Sequence, residues 1–182
     1  MKNEYSILLA VGAALVAISL LRKDTNKKDI YTEQIANQDE NMQVDTKLPR
    51  GYRNNNPLNI RISSSNWQGE VTPNTDGVFE QFSSMAYGYR AAMVLIKNYI
   101  TKYGCNTLAK IIKRWAPEKE NNTSGYIKRV CDTTGFSADE YINPYSEMQM
   151  TSLMYAMSLV ENGTKIKPDE QAILNGWKLY IL

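Results

Sequence analysis

Residues 146–163 read SEMQMTSLMYAMSLVENG, and this stretch decides the fold class. Ser146 with Gln149 three residues on is a helix-opening pair, in which the serine oxygen meets an orphan N–H of the first turn. Met150, Leu153, Met154, Met157 and Val160 then recur at spacings of three and four, one apolar stripe of an α-helix. Gly163 is a natural stop. Glu161 sits at the carbonyl end, where the helix dipole is negative and a carboxylate is locally disfavoured. An acid kept there against the local rule, beside Val160, is a candidate general acid and base.

The same reading extends outward. Over 86–103, Ala92, Leu95, Ile96, Tyr99, Ile100 and Tyr103 share a stripe that Gly104 ends. Asn106 is expected to cap a second helix with Leu108, Ile111, Ile112 and Trp115 inward, and Pro117 closes it. Residues 123–131 predict a helix burying Tyr126, Ile127 and Val130. Pro168-Asp169-Glu170 opens a last one through Ala172, Ile173 and Trp177. Before residue 86 the pattern changes. Short strands are expected over 59–62, 69–72 and 78–82, with turns at Pro73-Asn74 and Asp76-Gly77. The expected class is α+β, mostly α, with a small β-hairpin region and five or six helices.

The N-terminus reads differently again. Residues 5–21, YSILLAVGAALVAISLL, form an apolar run at the short end of the roughly 17–25 residues that span a bilayer. Arg22, Lys23, Lys27 and Lys28 follow it. A cleaved signal peptide would carry its basic residues before the run, so 1–21 is read as a single transmembrane anchor. Residues 22–48 are polar, with balanced charge, and read as a tether. The globular domain is assigned to 49–182.

Composition narrows the chemistry. The chain of 182 residues contains no histidine and only two cysteines, Cys105 and Cys131. Ser-His-Asp triads, Cys-His pairs and most zinc sites are thereby excluded. No metal and no cofactor is expected, and proton transfer falls to Asp, Glu, Tyr or Lys. A net charge of +2 is too weak to suggest nucleic acid as a partner. Asn56 and Asn59 offer amides to sugar hydroxyls, and Trp67, Trp115, Tyr87, Tyr89 and Tyr126 offer rings to sugar faces, although core packing suits each ring at least as well. Lys110, Lys113 and Arg114 form a basic face suited to an anionic polymer or simply to water.

RGYRNNNPLNIR (50–61), NWQGEV (66–71), Phe79-x-x-Phe82, Gly88-x-Arg90-Ala91, Asn106-Thr107, RWAPEKENNTSGYI (114–127) and Glu161-Asn162-Gly163 occur in that order. Together they resemble a family of phage and prophage lysozyme-like lytic "structural proteins". Leu58 stands where that family has Gly, and Val160 where it often has His. The stretch from Asn54 to Thr72 is also distantly similar to flagellar and autolytic N-acetylglucosaminidases, whose catalytic Glu ends a helix upstream. Here the helix ending in Glu161 lies downstream, which suggests a permuted lysozyme-like domain. The resemblance implies a membrane-anchored, phage-type enzyme that cuts the glycan strand of peptidoglycan as a lytic transglycosylase or muramidase. Glu161 would be its acid and base, with Asn56, Asn59, Trp67, Glu70, Trp115, Glu120 and Tyr126 shaping the glycan groove. It would be virion-associated or sit in the host envelope, with other virion or envelope proteins as further partners. The alternatives are an endopeptidase of the same polymer, or a virion protein that binds murein without cutting it.

Overall fold

A computed structural model describes residues 48–182. The anchor assigned to 1–21, and all of the tether except Leu48, lie outside the described residues. Among the described residues no helix is long and apolar enough to cross a membrane.

Among the described residues there are six helices: α1 (Arg50–Arg53), α2 (Met85–Tyr103), α3 (Leu108–Trp115), α4 (Thr123–Thr134), α5 (Glu147–Asn162) and α6 (Glu170–Ile181). Their ends follow local chemistry. Ser146 Oγ accepts from Gln149 N, and Asp169 accepts from the N–H groups of Gln171 and Ala172. Thr107, one residue after the expected Asn106, caps α3. Gly104 and Gly135 end α2 and α4 in left-handed backbone at φ 65° and 76°.

α2 is the central helix and packs on α3, α5 and α6. Met93 and Ile96 of α2, Leu108, Ile111 and Ile112 of α3, and Met150, Leu153, Met154 and Met157 of α5 are fully buried. Each such side chain contributes about 1.5–3 kcal/mol on leaving water. The α2–α6 crossing is close. A Cβ on Gly176 would lie 2.8 Å from both the Ala86 carbonyl oxygen and Tyr89 Cβ, so only glycine permits it.

The β-hairpin region is not formed, and the α+β, lysozyme-like expectation is overturned. Residues 59–82 hold only isolated bridges, Arg61 with Phe79 and Glu70 with Phe82, and no strand occurs among the described residues. Backbone bonds do cross here, from Glu80 N to Ile60 O, Ile62 N to Val78 O, Val71 N to Gln81 O and Ser83 N to Gly69 O, but they do not run on into a ladder, and side chains bond the groups around them. Asn56 Nδ2 donates to the carbonyls of Ile60 and Glu80, both at 2.9 Å, and its Oδ1 accepts from Ile60 N. Asn55 Nδ2 donates to Phe82 O. Asn54 accepts from Gln81 Nε2 and donates to Asp76. Asp76 in turn receives Arg50 through Nε at 2.7 Å and a second guanidinium nitrogen at 2.6 Å, together with Val78 N and Phe79 N. The alternating sequence that predicts strands builds a loop braced by amides instead.

Candidate functional site

Glu161 lies in the last turn of α5, half-buried, and three donors converge on its carboxylate. Trp115 Nε1 donates to Oε1 at 3.1 Å and Tyr126 Oη donates to the same oxygen at 3.0 Å. Asn59 Nδ2 donates to Oε2 at 3.0 Å. These donors come from the end of α3, the first turn of α4 and the loop after α1. One carboxylate thus ties three segments to the end of α5. Three proton donors aimed at the two oxygens complement an ionised carboxylate at the dipole end that disfavours one. The setting therefore differs from the apolar one the sequence suggested.

Each donor is held by its own surroundings. Thr123 Oγ1 donates to Ala116 O at 2.5 Å, which fixes the short link between Trp115 and Tyr126. The Trp115 ring meets Tyr99 edge-on, with centroids 6.3 Å apart. Tyr126 is buried, and burial first, then the Glu161 charge, pushes its hydroxyl well above the ordinary tyrosine value, so it stays a donor. Asn59 has φ 51°, a left-handed conformation that asparagine tolerates better than most residues. Its turn is clamped from below. Asn162 Nδ2 donates to Pro57 O at 2.6 Å, and a Cβ on Gly51 would lie 2.5 Å from Asn162 Oδ1 and 2.8 Å from Asn59 Oδ1.

Above Glu161 opens a cleft of about 550 Å³. Asn59, Trp67, Trp115, Glu120 and Glu161, all singled out from the sequence, line it. The other singled-out residues are placed elsewhere. Asn56 is fully buried with its amide spent on backbone, so no ligand reaches it. Glu70 does not line the cleft. Its carboxylate accepts Trp67 N at 3.0 Å and so holds the loop that carries Trp67. Tyr126 offers Glu161 its hydroxyl and keeps its ring in the core, so it is not a stacking surface. Tyr87 and Tyr89 are likewise core residues.

Sequence reasoning missed Arg61, Tyr99 and Asn121, which share the cleft wall. It also missed Glu80, buried directly behind that wall. Glu80 Oε1 accepts Ser63 N at 3.1 Å, and Trp67 Nε1 faces its carboxylate without closing a hydrogen bond of ordinary geometry. Burial raises the Glu80 carboxyl, and Ser63 N–H pulls it partly back. No sequence signal marks Glu80, since it falls in an alternating run that reads as strand. Among the described residues no cluster of three or more Cys, Asp or Glu side chains is placed to hold a metal.

Over 118 residues the chain is 40% identical to Protein P5 of Pseudoalteromonas phage PM2, which takes in 63% of this chain and 72% of that protein. The chain belongs to the family of that phage protein. No family model matches it. Family membership gives a bacteriophage relative and leaves the chemistry to be argued from the cleft.

Proposed function

We propose that the cleft takes a glycan strand of peptidoglycan and that Glu161 carries the proton that breaks it. The observation behind this reading is the Glu161 carboxylate, held by three donors at a cleft whose walls also carry Trp67, Trp115 and Asn59. Indole faces and amides suit sugar rings and hydroxyls. Among the described residues Glu120 is the one other acid in the lining, and its side chain is 71% exposed beside Arg61. A buried partner carboxylate, as two-acid glycosidases use, is therefore not in the cleft wall.

One carboxylate suffices when the substrate supplies its own nucleophile. The 6-hydroxyl of the muramic acid attacks its own C1 and gives its proton to Glu161. Glu161 passes that proton to the departing glycosidic oxygen. The C1–O6 bond forms as the glycosidic bond breaks, and no water is consumed. This is lytic transglycosylation. The bacteriophage relative supports association of the chain with a virion, and the action on the host wall rests on the cleft alone.

A second reading has its own observation. Both oxygens of Glu161 are engaged by the protein, so the residue can also serve purely as a latch, with the cleft binding murein without cutting it. The full-length chain incubated with purified cell walls separates the two, with mass spectrometry of whatever is released. Anhydro-muramic ends support the single-acid scheme, and reducing ends indicate hydrolysis. Binding without release supports the latch, and cut stems on intact glycan would point to an endopeptidase.

A further inference from the structure

We infer that a basic shelf beside the cleft receives the carboxylates of the peptide stems carried by the glycan, an inference that rests on the cleft being a glycan groove. Lys110, Lys113 and Arg114 stand at i, i+3 and i+4 of α3, on the face opposite the buried Leu108, Ile111 and Ile112. With Tyr99, Cys105 and Pro117 they line a shallow depression of about 570 Å³. Tyr99 and Pro117 also line the cleft, so the two surfaces share a wall. A strand lying past Trp115 and Pro117 brings its substituents over this shelf.

The charge is concentrated and uncompensated. A solvated helix face ordinarily interleaves acids with bases, yet α3 contains no acid. Among the described residues none of the three cations has a carboxylate within salt-bridge distance. Arg114 is also fixed in place. Its guanidinium carbon lies 3.7 Å from the centre of the Tyr103 ring and 5.0 Å from that of Tyr99. Stacking on two rings restrains the side chain and leaves the guanidinium edge for an acceptor. Peptide stems carry free carboxylates at regular intervals along the glycan, the charge and spacing that a row of three cations beside a sugar groove can meet.

The test titrates full-length protein carrying Glu161→Gln, which prevents cleavage, against labelled glycan oligomers with and without peptide stems. The comparison protein adds Lys110→Gln, Lys113→Gln and Arg114→Gln. A further one adds only the two exposed lysine changes and keeps the Arg114 stack, and thermal melts confirm that each is folded. The triple change is expected to weaken binding of stem-bearing oligomers about tenfold, the scale of a few solvent-exposed ion pairs. Binding of stem-free oligomers should be unchanged, and high salt should erase the difference. Equal loss on both oligomers, or no loss on the stem-bearing one, overturns the inference. Failure of every protein to bind either oligomer refutes the glycan reading of the cleft itself. Charge-dependent binding to wall-polymer phosphate or to anionic lipid vesicles, without a stem effect, assigns the shelf to those ligands and overturns the stem assignment.

Discussion

Replacing Glu161 with glutamine separates proton transfer from packing at a single position. Glutamine keeps the size of the side chain and one acceptor oxygen. With that oxygen turned toward Trp115 Nε1 and Tyr126 Oη, the bonds now 3.1 and 3.0 Å long persist. The new amide nitrogen then faces Asn59, whose amide flips to present its oxygen. The stability change is one rearranged hydrogen bond, about 1 kcal/mol, which moves Tm by roughly 2–8 °C in a domain of this size. The catalytic change is far larger. Loss of a general acid or base costs about 10²–10⁴ in rate, equivalent to about 3–5 kcal/mol of barrier. Turbidity of a wall suspension and a thermal melt, run on one preparation of the full chain, read both quantities. The expected result is lysis lost with a near-native Tm. Full lysis by Glu161→Gln refutes the role of Glu161. Glu161→Ala is the companion variant. It strands the buried Tyr126 hydroxyl and the Trp115 N–H, each at about 1–3 kcal/mol, so it should melt well below the glutamine variant. An alanine variant as stable as the parent would falsify the latch geometry.

Other positions give independent checks. Asn59→Gly keeps the left-handed backbone and removes only the donor to Glu161, so its melt should stay close to the parent's while lysis slows; Asn59→Ala adds about 1 kcal/mol of backbone cost, and the ordering reverses if φ 51° is not required. Gly51→Ala forces a methyl against Asn162, Asn59 and the Asn56 carbonyl and should destabilise by about 1–3 kcal/mol in denaturant titration, whereas an unchanged midpoint would show that the clamp yields. Asp76 is held well below the usual carboxylate range, chiefly by Arg50, then by Asn54 and the N–H groups of Phe79 and Val78. A lowered folded value means that its stabilisation is present above the unfolded value, about 3.9, and is lost as pH falls below it. Tm should therefore drop on acidification below about pH 4, and Asp76→Asn should flatten that drop while lowering the plateau at neutral pH.

The five longer helices were legible because they carry their own punctuation, whereas α1, which has no side-chain cap, was not read as a helix. Ser146, Asp169, Gly104 and Gly135 act within one turn of themselves, so their effect is written locally. The segment 54–82 misled for the opposite reason. Alternating apolar residues and turn dipeptides are the local signs of strands, but the bonds that decide its course run from Asn54, Asn55 and Asn56 to partners as many as 27 residues away. At the site, Glu161 stood out as an acid against its dipole, and Trp67, Trp115 and Asn59 as suited to sugars. What the sequence concealed was how side chains divide their duties. Trp115 gives its N–H to Glu161, Tyr126 buries its ring and offers a hydroxyl, and Asn56 turns inward. Glu80 is a buried polar residue in a run whose alternation reads as strand, so only three-dimensional packing reveals it.

Asn54, Asn55 and Asn56 are chemically identical neighbours with separate assignments: one braces Asp76 and Gln81, one reaches Phe82, one ties Ile60 to Glu80. Their value lies in position, so the triplet works as a ruler. A point substitution removes one amide's worth of bonding and leaves its neighbours in register. Losing any one of the three yields the same Asn-Asn remnant, and it shifts every contact on one side of the gap by a full residue. An extra Asn does the same in the other direction. The tract should therefore tolerate exchanges of residue type far better than changes of length. Length variants generated within these three positions would score worse than any single substitution there, even though they leave the local composition almost untouched.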